Sequence, residues 1–444
     1  MNFEQSAKIL KECLEKRLPE IIKIGEDIYR NPEPGFQEHN TAALAAKKLE
    51  SLGLIVNHDP DIPVVTAYMD TGKPGPVIAV MGEMDCIVCF EHPDCTENGY
   101  VHACGHHVQV ADMIGCAALL KDSGLLKDMC GKIKFMAVPA EEHIQQDFRM
   151  DLVRKGKLTF TGGKTELVYR GFFDDVDMAM MVHVLESDAK LSFGSTCNGC
   201  LIKQISYKGK AAHAGGAPHE GINALYAANL GLNAINALRE TFKEEDSIRV
   251  HPIITKGGDT VNVIPSEVNI GTYVRGKTLD AILEVNKKVD RALAGTAAAL
   301  GCRVEIEDVP GYFPLSSDPN FTSFAFECAK ILAGDKAVRI GHMGISTDMG
   351  DLSMIMPVIH PYVGGAKGGL HSGAFKIDDK DTAYGTGTHF LALTAYGLLS
   401  DNGACACKIK KEHVPYFSSK EEFIRCMKDL SRKVLYPKKD ILED

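Results

Sequence analysis

Between residues 64 and 182, short apolar runs alternate with stretches of helical periodicity, and this alternation limits the fold more than any other feature. Val64–Met69, Val77–Met81, Ile133–Val138 and Met178–Val182 read as strands. Residues 107–121 carry Val110, Met113, Ile114, Ala117 and Leu120 at helical spacing. Continuously apolar strands suit a sheet buried on both faces. Their alternation with helices predicts an α/β domain with a mostly parallel sheet flanked by helices. Two helices precede it, at residues 5–29 and 39–53; the first is stopped by Asn31-Pro-Glu-Pro-Gly35.

The pattern changes near residue 198. Leu201–Tyr207, Arg249–Thr255, Glu267–Val274 and Arg303–Val309 read as strands, with helices at Asn223–Arg239 and Asp280–Ala299. That order is βαββαβ, a ferredoxin-like sandwich. Helix and strand patterns of the first kind then resume (321–333, Val358–Tyr362, 381–399). The expectation is a catalytic α/β domain over 1–197 and 310–444, with a small domain inserted over 198–309. The tail 408–444 is charged and mixed and is assigned no role.

Composition narrows the setting. A formal charge of -10 argues against nucleic acid or an anionic membrane surface as partner. No apolar stretch approaches the length of about 18 residues needed for a membrane span. The N-terminus lacks the apolar core of a signal peptide. The 14 cysteines are scattered over a long chain rather than regularly spaced, so reduced thiols in the cytoplasm are expected.

Candidate chemistry gathers where strands end. His102-Ala-Cys104-Gly105-His106-His107 lies in a loop before a helix, and a helix N-terminus favours the thiolate that binds metal. A reactive or structural cysteine beside surface histidines is the alternative. Strand 133–138 runs into Pro139-Ala-Glu141-Glu142, where one carboxylate can bind metal while the other moves protons. A solvated Glu pair opening a helix is the plainer alternative. Strand 178–182 ends at His183, and the loop after strand 358–362 carries His371. In open parallel sheets, ligands bind beyond the carboxyl ends of the strands. Thiolate, imidazole and carboxylate together suit zinc, manganese, cobalt or nickel, and five ligands with one shared would hold two ions. Asp85 follows strand 77–81 and either orients a ligand histidine or caps its loop. The spacing of Cys86, Cys89 and Cys95 supplies no clear fourth ligand, which favours free thiols there.

With these motifs in order, the chain resembles the two-metal aminoacylase and carboxypeptidase family of metallopeptidases. The resemblance is to its amidohydrolase branch, which acts on N-acyl amino acids, indole-acetyl amino acids, hippurate and p-aminobenzoyl-glutamate. It spans about residues 15–400 and rests on Asn31-Pro-Glu-Pro-Gly-Phe-Gln-Glu38, Met84-Asp85, the 102–106 and 139–142 motifs, His183 and Gly209-Lys-Ala-Ala-His213-Ala. It rests also on Gly257-Gly-Asp-Thr-Val-Asn262-Val-Ile-Pro265, Arg275, Ser346-Thr-Asp-Met-Gly-Asp351 and Leu370-His371-Ser372. The resemblance implies a zinc-peptidase-like catalytic domain and an inserted domain that forms homodimers or higher homo-oligomers. It implies two divalent ions, zinc or manganese before cobalt or nickel, held by Cys104, His106, Glu142, His183 and His371. It makes Glu141 the general base and His213 the stabiliser of the oxyanion, reaching across between subunits. Asn262 and Arg275 would hold the substrate's backbone or carboxylate.

Three features depart from the branch. His107 stands where an Asp is common, the segment between Glu142 and His183 is long, and residues 86–95 differ from the usual Ala-Leu-Pro-like run. Asp147-Phe-Arg149 and Gly162–Leu167 in the long segment are candidates to line the substrate pocket. The expected activity is hydrolysis of an N-acyl or N-aroyl amino acid, with a dipeptidase or carboxypeptidase of the same family as the alternative. A non-catalytic metal-binding relative and a thiol enzyme using Cys104 are the readings from other classes. No G-x-G-x-x-G follows the first strand, which disfavours a dinucleotide enzyme.

Overall fold

A computed structural model describes residues 3–436. The chain divides into two units. The first comprises residues up to Ser195, Ser316–His342 and Asp351–Lys420; the second comprises Thr196–Leu315, Met343–Gly350 and the chain from Glu421. Among the described residues no helix is long and apolar enough to cross a membrane.

The first unit is built on a six-stranded sheet in the order Ile55–His58, Val65–Asp70, Lys132–Val138, Val77–Glu83, Met178–Met180, Val358–Ile359. The last four run parallel, and the first two are antiparallel additions. The central strands are buried almost throughout, as their unbroken apolar runs require. Helix His106–Ser123 packs on strand Val77–Glu83, and the N-terminal helix Phe3–Tyr29 packs on that helix. A smaller sheet holds Leu191–Phe193, Ala337–Arg339, Tyr362–Lys367 and Lys376–Ile377, with His183–Glu186 pairing parallel to Tyr362–Lys367.

The expected strands 178–182 and 358–362 are each divided between the two sheets. Met180 is the last residue of one segment and His183 the first of the next; Ile359 and Tyr362 are divided likewise. Pro361 has no N–H for a ladder, and its carbonyl accepts the His183 N–H at 3.0 Å. The break leaves His183 and His360 at the carboxyl edge of the larger sheet. The long segment after Glu142 contains two helices that periodicity did not reveal, Gln146–Arg154 and Gly163–Tyr169.

The second unit has the βαββαβ order. Its antiparallel sheet runs from Arg249–Val250 and Ile253–Lys256 through Glu267–Gly276 and Gly199–Lys208 to Arg303–Tyr312. Helices Ala224–Leu238 and Leu279–Ala299 share its apolar core, each opened by a side-chain cap, Asn223 and Thr278. Pro252 interrupts the expected strand 249–255. The tail differs from expectation: helix Lys420–Leu430 is followed by strand Arg432–Tyr436, which pairs antiparallel to Arg303–Tyr312. Residues 421–436 therefore go with the second unit, where the expectation placed them with the first.

Arg432 explains that attachment. Lys203 is fully buried and pairs with Asp290 at 2.6 Å and with Asp308. Arg432 reaches the same two carboxylates, with its Nε 2.7 Å from Asp308, and Asn286 donates to Asp308 at 2.9 Å. Removing one member of a buried charge group leaves the others unpaired, which costs about 3–5 kcal/mol. Lys203→Ala should lower stability by that amount in urea unfolding. The exposed Lys433→Ala, by contrast, should stay within about 1 kcal/mol.

Candidate metal centre

Each candidate ligand is delivered by a strand end or an adjoining loop of the first unit. Gly105 makes the turn that carries two of them. Its φ of 85° lies in the left-handed region, and a Cβ there would stand 2.2 Å from Val184 Cγ1. The turn sets Cys104 just before helix His106–Ser123 and His106 at its first position. Val138 ends the strand that leads to Glu141 and Glu142, and His183 opens its own strand. His371, with a φ of 60°, is tied to the first loop by its N–H on the Ala103 carbonyl at 2.9 Å.

These side chains meet. Cys104 Sγ lies 3.5 Å from His183 Nε2 and 3.3 Å from His371 Nε2, and His371 Nε2 lies 2.9 Å from Glu142 Oε1. Cys104, His106 and His183 offer ligand atoms all within 4.8 Å of one another, and so do Cys104, Glu142 and His371. The two triads share the thiol. The same spacing joins His106, Glu141 and Glu142, so Glu141 stands beside both ligand sets.

Hydrogen bonds aim the ligands. His183 Nδ1 donates to the Val184 carbonyl at 2.8 Å, and His106 Nδ1 donates to the Asp85 carbonyl at 2.9 Å. In each ring the other nitrogen, Nε2, is then the one left to bind a cation. Buried His106 Nε2 has no hydrogen-bond partner among the described residues. Asp85 does more than cap a loop. Its Oδ1 is 3.1 Å from His106 Nδ1, and its Oδ2 accepts the Glu142 N–H at 2.8 Å. One buried carboxylate thus contacts a candidate ligand from each triad.

The electrostatics suit a cation. Burial opposes charge on His106, but Glu83 and then Asp85 outweigh it and hold its pKa up to about 9. A metal ion would displace that proton, since the same carboxylates attract either cation. Burial opposes charge on Glu142 too, yet the hydrogen bond from His371 and the charges of His371 and His106 bring it down to about 2. Burial, followed by His106, depresses His183 to about 4, which keeps its imidazole neutral. Burial, then Glu142 and Glu141, push the Cys104 thiol well up. A thiolate in that place requires a neighbouring cation, which matches a metal-ligand set of thiol, imidazole and carboxylate.

Two side chains around the centre, Glu83 and His360, have no role in the sequence reading. Glu83 is two residues past Met81 and fully buried. It pairs with buried Lys164 at 2.5 Å, accepts from Gln109 at 2.9 Å and lies 3.3 Å from His106 Nε2. Lys164, named above as a pocket candidate, faces this carboxylate. His360 looked like strand interior; its buried ring has no hydrogen bond among the described residues and sits 5.8 Å from the His183 ring. Arg149, another pocket candidate, is buried as well. His213, Asn262 and Arg275 belong to the second unit. His213 accepts the Gly216 N–H at 2.9 Å, Asn262 is exposed, and Arg275 donates to Ser346 at 3.3 Å.

A parallel sheet with clustered metal-type ligands at its carboxyl edge is the arrangement of an α/β metal-binding site. A profile of peptidase family M20/M25/M40 matches residues 79–396, and the chain belongs to that family. It is a metal-dependent amidohydrolase or peptidase. Among curated proteins, the Xaa-Arg dipeptidase of Mus musculus is 32% identical over 270 residues, 59% of this chain and 57% of that protein. The indole-3-acetyl-aspartic acid hydrolase of Enterobacter agglomerans is 25% identical over 87% of this chain and 98% of its own length. Among solved structures, a dinuclear metal binding peptidase of the M20 family from Bacillus subtilis superposes with a TM-score of 0.66 at 21% identity, covering 87% of this chain and 99% of that one. The aminobenzoyl-glutamate utilization protein of Klebsiella pneumoniae gives the same score and identity over 89% and 100%.

Losing an outer hydrogen-bond partner typically costs about 10–100-fold in metal affinity. Asp85→Ala should weaken metal retention by that factor, measured as metal content after dialysis against a graded chelator. Retention equal to the unaltered chain would remove Asp85 from the centre.

Proposed function

We propose that this chain hydrolyses the amide bond joining an acyl or aroyl group to the amine of an amino acid. The observation that carries the reading is Glu141, buried beside two ligand triads that share Cys104. In this reading Cys104, His106, Glu142, His183 and His371 hold two divalent ions, zinc or manganese before cobalt or nickel. When bound, the ions polarise the amide carbonyl and lower the pKa of water toward about 7. Glu141 takes the proton from the attacking water and returns it to the leaving amine. His213 is proposed to stabilise the oxyanion, with Asn262 and Arg275 as the substrate's backbone and carboxylate contacts. An Arg fork suits a carboxylate because it can bind both oxygens.

A second reading, a dipeptidase, is favoured by the 32% identity to the Xaa-Arg dipeptidase of Mus musculus. Both readings use one chemistry and differ in the group on the nitrogen side of the released amino acid. Amine release from a panel of N-acyl, N-aroyl and dipeptide substrates by metal-loaded enzyme separates them. Glu141→Gln should keep the metal and lose about 10²–10⁴-fold in kcat. Near-normal turnover by that variant sinks the assignment.

We also propose a homodimer formed through the second unit, in a reducing compartment such as the cytoplasm. Strand Ile253–Lys256 is exposed along its length and pairs only with Glu267–Gly276 among the described residues. Ile253 and Ile254 on it are open to solvent, as are Tyr226 and Leu230 on helix Ala224–Leu238. An open apolar edge of this kind is a template for another chain. All 14 cysteines are free, and Cys104 must stay reduced to act as a ligand. Sedimentation should give a dimer that Leu230→Glu together with Ile254→Lys converts to monomer. A monomeric unaltered chain would refute the dimer.

A further inference from the structure

Behind the Glu141–Glu142 turn lies a buried cation that neither ligand set uses. Arg149 comes from helix Gln146–Arg154 in the long segment after Glu142, and its side chain is fully buried. Its guanidinium hydrogen-bonds to carbonyls instead of carboxylates. Nη1 donates to the Thr161 carbonyl at 2.8 Å and to the Ala140 carbonyl at 3.4 Å, and Nη2 donates to the Glu142 carbonyl. The Phe36 ring lies 5.5 Å from the guanidinium carbon. Gly35 makes room for it, since a Cβ there would stand 2.2 Å from Nη2.

The other side of the turn is held too. Ala140 has a φ of 59°, in the left-handed region, where a residue with a Cβ is strained by about 1–2 kcal/mol. Its N–H donates to Glu38 Oε1 at 2.7 Å, and Glu38 is fully buried. The carbonyl before Glu141 and the carbonyl of Glu142 are therefore both turned inward onto one guanidinium. The amide that enters the turn is fixed on one carboxylate. With its backbone gripped inward, the turn presents Glu141 and Glu142 toward Cys104, His106 and His371. Packing alone does not account for the cation, because an apolar side chain would fill the same space without the cost of burying a charge.

We propose that Arg149 is a positioning residue, whose fork on the Ala140, Glu142 and Thr161 carbonyls, with Glu38 opposite, sets Glu141 for proton transfer. This rests on the reading of Glu141 as general base. A misplacement of about 1 Å at a reacting group can cost about 100-fold in rate. A Lys in its place carries the charge, but its donors sit on one nitrogen and lack the planar fork that spans these three carbonyls.

The test uses the full-length, metal-loaded enzyme and a substrate that the unaltered enzyme turns over in the panel. Arg149→Ala should lower kcat by about 10–100-fold with KM changed less than about threefold and metal content unchanged. Arg149→Lys should be impaired to a similar degree, and added guanidinium should restore part of the turnover of Arg149→Ala alone. Amide hydrogen exchange over residues 139–143 should quicken by about tenfold in both variants, a readout independent of turnover. The proposal is overturned if Arg149→Ala keeps its kcat while Glu141→Gln is inactive. It is overturned too if Arg149→Lys is fully active, or if excess metal alone restores Arg149→Ala. Should Glu141→Gln itself stay active, the general-base reading falls and this proposal with it.

Discussion

Burying negative charge is the constraint that organises the first unit. Glu38, Glu83, Asp85 and Glu141 are all buried, and Glu142 is nearly so. An isolated carboxylate in such a place is too costly to stay ionised, so each needs donors or cations, or must take up a proton. Lys164 answers Glu83, and the Glu142 N–H and the His106 ring answer Asp85. Arg149 stands near Glu38, where burial followed by the Asp85 charge pushes the carboxyl well up. These partners leave acidic groups around Cys104, an arrangement that suits a cation at this edge of the sheet. The sheet supplies the geometry, since four parallel strands end at Glu83, Val138, Met180 and Ile359 and open their following residues to one edge.

The second unit solves a related problem differently. Asp290 and Asp308 are buried, but Lys203 and Arg432 neutralise them with two cations for two carboxylates. Charge there balances within the chain, and Asn286 takes up a further hydrogen bond. A closed network of this kind ties a terminal strand to a sheet edge and has no use for an external ion. Buried polar clusters of similar composition thus have opposite meanings, and the charge balance distinguishes them.

Much of this was legible in the sequence, for identifiable reasons. The parallel strands announced themselves because burial on both faces forces unbroken apolar runs, as in Ile133–Val138. The inserted sandwich did so because its antiparallel strands and two amphipathic helices keep clear periods. Cys104, His106, Glu141, Glu142, His183 and His371 were found because they follow strands or sit in Gly-rich loops, and the structure brings all six together. Glu83 carries no signal of its role, and Lys164 and Arg149 read only as pocket candidates, because a charged residue in sequence looks solvated until its partner is known, and these partners lie far along the chain or are backbone carbonyls. His360 was hidden inside a strand-like run whose break at Pro361 is a matter of sheet pairing. The terminal strand Arg432–Tyr436 was hidden because its attachment depends on ionic contacts with Asp290 and Asp308.

The same electrostatics decide what Cys104 can be. A nucleophilic cysteine needs a lowered pKa and access, which positive neighbours provide. The helix that begins at His106 pulls in that direction, yet burial and the charges of Glu142 and Glu141 pull harder in the other. With acidic side chains on its near side, this thiol resists ionisation and would be a poor nucleophile. In the proposed function a divalent cation held by these groups would favour the thiolate, because it would attract the sulfur's charge that the carboxylates repel. A buried thiol held protonated by its acidic neighbours would be a weak nucleophile, which argues against a thiol enzyme on physical grounds independent of family membership.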